Sequence, residues 1–255
     1  MKKRFQNIFQ HYFDSLYESM CEDRYSIQLQ LVETNSNSLM LDCGCREGDN
    51  TLRMARQIGT HHIIGLDYIY SALYRAGKTG IFCIQSNLND SIPLQNDSVD
   101  IILATDVIEH LIKPAVFVKE MFRVLKPSGY MILDTPNLSS WHNIFALLIG
   151  IQPFSGPNIT TMEDSDIDIV RKMHRVTHGL NEEGEFQDHS ELELTRHIVV
   201  IAYISLINLL KRAGFVIEKE YGFGYYPLPP FIAHFLQHFD IRHTHHLVIK
   251  TRKVL

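Results

Sequence analysis

An acidic residue and two glycines, Asp42, Gly44 and Gly48, follow a short apolar run and precede a stretch with the pattern of a helix start, residues 51–58. Glycine lets the backbone approach a ligand closely, and a helix N-terminus presents unpaired N–H groups. This pattern predicts a ligand-binding turn between a strand and a helix, the alternative being an ordinary turn without a ligand. A dinucleotide fingerprint is excluded, because it requires glycine at Arg46 and Asp49.

A second carboxylate, Asp67, ends the next apolar run, residues 61–67. A carboxylate at the end of a parallel strand can accept both hydrogen bonds of a ribose diol. The alternative role for Asp67 is a cap on the helix predicted to follow, residues 69–78.

The elements that must position these residues alternate between strand and helix over most of the 255 residues. The alternation predicts an α/β fold, a Rossmann-like, seven-stranded, mostly parallel sheet with helices on both faces. We expect an N-terminal helical lid over residues 1–36 and a domain over residues 37–255. An insertion at 138–196, acid-rich at 162–168 and 181–193, would cover the substrate.

Further motifs lie between Leu39 and Asn137, in a fixed order. They are Asn87, Ile92-Pro93-Leu94, Val99-Asp100, the run from Ala104 to Leu111, the run from Arg123 to Gly129, and Thr135-Pro136-Asn137. Together with Asp42, Gly44 and Gly48, this order and spacing resemble the class I S-adenosylmethionine-dependent methyltransferases, in particular those called type 11.

The resemblance implies S-adenosylmethionine as the cofactor and assigns parts of it to individual residues. The expected contacts are Asp42, Gly44 and Gly48 for the methionine part, Asp67 for the ribose, Asn87 and Leu88 for the adenine, and Ala104, Thr105 and Asp106 beside the methionine, with Cys45 and Tyr68 as further cofactor contacts. The chain departs from the family at Arg46, where glycine is usual, and at Asn87, where aspartate is usual. Arg46 is compatible with the pattern if its backbone needs no positive φ and its side chain points outward.

Two histidines, His110 and His197, are the candidate catalytic acid-base residues, because an imidazole can take a proton from a hydroxyl or amine nucleophile. For His110 the favoured alternative is a structural role, in which its ring holds the loop in place. We expect no metal site, since His234 and His238 have helical i, i+4 spacing but no nearby third ligand.

The N-terminal segment carries an aromatic and aliphatic stripe at helical spacing between Phe5 and Met20, and a second helical segment is predicted from Tyr25 to Glu33. The stripe is interpreted as part of the lid, with contact to a membrane surface as the alternative. Tyr225 and Tyr226, in a stretch rich in proline and glycine, could line a substrate pocket.

The overall charge argues against nucleic acid as a partner, because a net charge of −5 and a pI near 6.3 give no general attraction to it.

The four cysteines have no metal or disulfide pattern, which indicates free thiols. No secretory signal or membrane-spanning segment is evident in the sequence, so we expect a cytoplasmic protein.

The predicted function is transfer of a methyl group from S-adenosylmethionine to a small or lipid-like molecule, with oxygen as the expected acceptor atom. The alternative is a non-catalytic protein that binds S-adenosylmethionine with the same fold. A nicotinamide dehydrogenase is disfavoured by the glycine spacing.

Overall fold

The computed structural model describes residues 2–156 and 197–254. The strands in chain order are β1 (Met40–Cys43), β2 (Ile63–Asp67), β3 (Phe82–Gln85), β4 (Val99–Thr105), β5 (Leu125–Pro136), β6 (Phe215–Phe223) and β7 (His246–Lys253). They form one sheet in the order β3-β2-β1-β4-β5-β7-β6. β7 is antiparallel to both of its neighbours, and the other pairs are parallel. The predicted seven-stranded, mostly parallel sheet is confirmed.

The described helices in chain order are α1 (Lys2–Leu31), α2 (Asp49–Ile58), α3 (Tyr70–Gly77), α4 (Pro114–Val124), α5 (Trp141–Leu148), α6 (Tyr203–Arg212) and α7 (Pro230–Gln237). Two short 3-10 helices, Ile108–His110 and Ile241–His243, complete the list of described helical segments. No helix within the described ranges is long and apolar enough to cross a membrane.

Helices cover both faces of the sheet because successive strand residues point to opposite sides. On β1, Met40 packs in the core cluster that contains residues of α1, α2 and α3, whereas Leu41 packs in the cluster that contains residues of α4 and α6. Both residues are fully buried. Such two-sided burial explains why the central strands read as continuous apolar runs.

The N-terminal segment is one helix of 30 residues rather than the two helical segments predicted. The residues between the predicted pieces, 21–24, contain neither glycine nor proline, so nothing interrupts the backbone hydrogen bonds. The described buried residues of α1 form one stripe at spacings of four, four, four and three: Leu16, Met20, Arg24, Gln28 and Leu31.

Residues 126–129, Lys-Pro-Ser-Gly, have the composition of a turn but lie within β5. The pairing of β4 with β5 shifts register there, from Val99 opposite Leu125 to Ile101 opposite Tyr130, so these residues form an irregularity in the strand. Ser128 accommodates it with a φ of 64°.

The predicted insertion at 138–196 is only partly described. Its first part contains α5, as the apolar pattern of residues 141–151 indicates. The two acid-rich stretches, residues 162–168 and 181–193, lie outside the described residues, so the role of the insertion as a substrate cover remains a prediction.

Candidate active site

The loop between β1 and α2 requires its two glycines. Gly44 and Gly48 adopt left-handed backbone conformations, with φ of 76° and 90°. A Cβ atom at Gly44 would lie 2.6 Å from Cγ2 of Val107, and one at Gly48 would overlap the Ile81 side chain. The loop therefore has the exposed backbone and tight turn expected of a ligand cradle, with α2 starting directly after Gly48.

Asp67, at the carboxyl end of β2, organises this loop. Its Oδ2 accepts a hydrogen bond from the backbone N–H of Arg46 at 2.8 Å, and its Oδ1 accepts one from the N–H of Ile69 at 2.9 Å. The second bond goes to Ile69, the N-cap residue of α3, and no side-chain hydrogen bond caps that helix, so the alternative role of Asp67 as a helix cap is not observed. Each oxygen keeps one further lone pair, which fits the two hydroxyls of a ribose.

Arg46 differs from the sequence-based expectation in its backbone. Its φ is 47°, the left-handed conformation that glycine adopts most easily, although its side chain is exposed as expected. The condition that Arg46 needs no positive φ is therefore wrong. The hydrogen bond from its N–H to Asp67 offsets part of the cost of this conformation, which is about 1 kcal/mol.

Asp42, the third predicted acid, is buried below the loop and accepts a hydrogen bond from Thr51 Oγ1 at 2.5 Å. Burial raises the pKa of Asp42 to about 7; the Thr51 hydrogen bond opposes this rise and the nearby Asp67 charge adds to it. Asp42 thus supports the loop from inside rather than offering an exposed charge.

The raised pKa of Asp42 predicts a pH-dependent stability. Because the folded pKa of about 7 exceeds the unfolded value, the stability that this group contributes is lost as pH rises from about 4 to about 7. Compared by denaturant unfolding at about pH 5 and pH 8, Asp42→Asn should gain about 2 kcal/mol relative to the parent at the higher pH. Parallel stability profiles of the two proteins would contradict the assignment.

The next predicted contacts follow β3. Leu88 is buried in the core, whereas Asn87 is exposed. Oδ1 of Asn87 accepts hydrogen bonds from the backbone N–H and the side-chain amide of Asn89, at 3.0 and 3.2 Å. Both lone pairs are used within the loop, so an adenine amino group would have to displace Asn89. The predicted adenine contact of Asn87 is not formed in advance.

The remaining predicted cofactor contacts lie at the same edge of the sheet. Cys45 is buried within the glycine loop, and Tyr68, after β2, has an exposed side chain. Ala104 is fully buried and Thr105 half-buried at the end of β4, followed by Asp106 with a φ of 51°. The fold thus brings the carboxyl ends of β1, β2 and β4 together around the glycine loop, as expected for a ligand site in a parallel sheet.

Sequence reasoning missed Arg24, which reaches this edge from α1. Its guanidinium makes a bidentate ion pair with Asp106, at 3.0 and 2.9 Å, and lies 3.3 Å from Asp134 Oδ2. His246 stands 2.8 Å from Asp134 and 2.9 Å from Arg24. The available signal was a single arginine within the apolar stripe of a helix, since a buried arginine requires a partner.

This network sets the charge of Asp106. Burial alone would raise the pKa of Asp106. The guanidinium of Arg24 and, next in size, His246 outweigh this effect and lower the pKa to about 2. Asp106 is therefore an anion, although its side chain is 39% exposed at the ligand edge. The network joins α1 to the ends of β4, β5 and β7.

The two candidate acid-base residues come together. His110 ends the 3-10 helix after β4, and His197 lies beside it with ring centroids 5.1 Å apart. Nδ1 of His197 is 2.6 Å from the carbonyl oxygen of Ser155, and the next two residues donate backbone hydrogen bonds to the carbonyl of Glu109. The contact between His110 and His197 fits both a catalytic and a structural role.

Comparison with known proteins agrees with the geometry. Residues 41–133 match the methyltransferase domain family. A protein of Mycolicibacterium smegmatis named as a probable S-adenosylmethionine-dependent methyltransferase is 39% identical over 103 residues, 38% of this chain and 38% of its own. The malonyl-[acyl-carrier protein] O-methyltransferase of Marinomonas sp. is 24% identical over 150 residues, 56% of this chain and 54% of its own.

The fold is shared with solved structures. The S-adenosylmethionine-dependent methyltransferase of Mesorhizobium loti aligns with a TM-score of 0.56 at 18% identity, over 89% of this chain and 96% of its own. The sequence matches reach only about two fifths of the length of the first relative. The residues that match the family, 41–133, contain the glycine loop, Asp67 and the end of β4, and in this part the chain is similar to the methyltransferase domain family.

Proposed function

We propose that the chain transfers the methyl group of S-adenosylmethionine to an oxygen atom of a small or lipid-like acceptor. The use of S-adenosylmethionine as methyl donor is supported by the geometry of Asp67. Two backbone N–H groups hold its carboxylate, and each oxygen keeps a lone pair for a ribose hydroxyl. The loop from Gly44 to Gly48 would hold the methionine part, and Leu88 would pack against the adenine.

The methyl group is already activated by the sulfonium, so the protein must align the acceptor and exclude water. A neutral hydroxyl also needs help in losing its proton, whereas many amines do not. His110 and His197, whose ring centroids are 5.1 Å apart after β4, would supply that help. Their position favours oxygen over nitrogen as the acceptor atom.

The lipid-like character of the acceptor is supported by exposed apolar side chains at the same end of the sheet. α5 leaves the carboxyl end of β5 and exposes Phe145 and Leu148, by 57% and 79%. α7 follows β6 and exposes Phe231 and Phe235, by 73% and 64%. An acyl chain would cover such a rim, and peripheral contact with a membrane, part of the same proposal, would bury it as well.

The test is transfer of labelled methyl from S-adenosylmethionine to hydroxy, carboxy and amino acceptors, each offered free and in phospholipid vesicles. We expect label in an apolar hydroxyl or carboxyl acceptor, with carboxyl methyl esters recognised by release of methanol in alkali. Co-sedimentation of the protein with the vesicles would report membrane contact. Label in amines alone would contradict oxygen transfer.

The second candidate is a non-catalytic protein that binds S-adenosylmethionine. The left-handed backbone of Arg46, at the position where the family has glycine, favours it, because a Cβ there limits how closely a cofactor can approach. Binding of S-adenosylhomocysteine without transfer to any acceptor in the same assay would support this alternative.

A further inference from the structure

A second group of ligand-type side chains lies next to the proposed cofactor edge: Glu109, His110 and His197. One donor atom from each residue lies within 4.8 Å of the donor atoms of the other two. The backbone fixes this grouping, because Ile198 and Val199 donate hydrogen bonds of 2.8 and 3.0 Å to the carbonyl oxygen of Glu109. Residues separated by almost ninety positions in the sequence are thereby brought together.

Glu109 has a buried carboxyl oxygen without a hydrogen-bond partner among the described residues. Its side chain is fully buried, and Oε2 accepts a hydrogen bond from Thr135 Oγ1 at 2.9 Å. Oε1 has no hydrogen-bond partner among the described residues. A buried carboxyl oxygen without a partner is costly, and native structures rarely leave one without a reason.

The neighbouring group of Asp106, Asp134 and His246 provides a comparison. It also has two kinds of ligand atom in close proximity, but the guanidinium of Arg24 lies among them and supplies the positive charge. Within the described part of the chain, no lysine or arginine forms an ion pair with Glu109. The group around Glu109 therefore differs from the other group in having no paired cationic side chain among the described residues, and a metal ion would supply that positive charge.

We propose that Glu109, His110 and His197 bind a divalent first-row transition-metal ion, with Zn²⁺ as the reference. Two imidazole nitrogens and one carboxylate oxygen form a set that binds zinc with a coordination position left open. Imidazole does not suit Mg²⁺ or Ca²⁺, which prefer oxygen ligands. Bonds of about 2.1 Å place ligand atoms about 3.4 Å apart, so side-chain rotation would draw the three donors closer together.

This inference rests on the proposed oxygen methylation and adds a means of activating the acceptor. The open position would hold the acceptor hydroxyl, whose pKa the ion lowers, so that its proton passes to water. The oxygen then attacks the methyl carbon, the sulfur–carbon bond breaks with its electron pair remaining on sulfur, and S-adenosylhomocysteine leaves uncharged. In this arrangement the two histidines would help the hydroxyl to lose its proton through the ion that they hold, in place of taking the proton themselves.

The test is calorimetric titration of Zn²⁺ into the full-length protein after removal of metals by a chelator, with Co²⁺ absorption spectra as a second readout. We expect one equivalent to bind, and the affinity to fall about 10-fold or more in His110→Gln and in His197→Gln. Intense visible bands of bound Co²⁺ should weaken in the same variants. Glu109→Gln is a third variant, used only if circular dichroism shows that it folds.

The matched control is His238→Gln, an exposed histidine on the surface near α7 that should leave binding unchanged. Equal affinity of the parent and both histidine variants, or no binding at about 1 mM Zn²⁺, would overturn the site. S-adenosylhomocysteine is titrated in parallel. Binding of S-adenosylhomocysteine without binding of Zn²⁺ would refute the metal site and leave the proposed function standing. Binding of Zn²⁺ without binding of S-adenosylhomocysteine would refute the proposed function and leave the metal site standing.

Discussion

Arg24→Met should lower the free energy of unfolding by about 3–5 kcal/mol, the cost typical of removing one partner of a buried ion pair. The Arg24 side chain is only 7% exposed and that of Asp134 is fully buried. Without the guanidinium, only His246 would remain to compensate the charges of Asp106 and Asp134. Methionine replaces the apolar stem of Arg24, so the loss would report mainly the charge.

Denaturant unfolding monitored by circular dichroism measures this loss. The matched control is Arg53→Met, because Arg53 is exposed and only stacks 4.6 Å above the ring of Tyr25. Its replacement should cost less than about 1 kcal/mol. Arg24→Lys keeps the charge but not the bidentate geometry, and should fall between the two.

A triple variant separates charge from packing. In Arg24→Met with Asp106→Asn and Asp134→Asn, the two carboxylates become neutral, so much of the lost stability should return. A loss below about 1 kcal/mol in Arg24→Met itself would mean that the network does not hold α1 to the sheet.

Much of the fold could be predicted because its signals are local. Apolar runs that end in Asp42 and Asp67, with glycines at fixed spacing after the first, identify strands, a turn and a helix start within a few residues of one another. The carboxyl ends of parallel strands must meet at one edge, so the grouping of Gly44, Asp67 and Asp106 followed from their positions in the pattern.

The remaining features depend on contacts between distant parts of the chain. Arg24 meets partners 82 and 110 residues away, and no spacing rule connects them. His197 is held near Glu109 because the next two residues, Ile198 and Val199, donate backbone hydrogen bonds to the carbonyl of Glu109, which no sequence pattern indicates. The positive φ of Arg46 arises because the loop must present its N–H to Asp67, a geometric demand that overrides the preference of the residue.

The second large effect is expected from Asp67→Ala. The substitution would remove both acceptors for a ribose diol and would leave the N–H groups of Arg46 and Ile69 without their partner. Two hydrogen bonds to a charged group are together worth about 3–6 kcal/mol, so binding of S-adenosylhomocysteine should weaken by about 100-fold or more. Asp67→Asn keeps one acceptor oxygen and should show an intermediate loss.

Calorimetric titration of the parent protein with S-adenosylhomocysteine, beside Asp67→Ala, tests the central claim most directly. Asp49→Ala is the matched control, since Asp49 is an exposed acid in the first turn of α2. We expect saturable one-to-one binding by the parent and by Asp49→Ala, and its loss in Asp67→Ala. Absence of binding to the parent at about 1 mM ligand, or equal affinity of the parent and Asp67→Ala, would contradict a cofactor site at the end of β2.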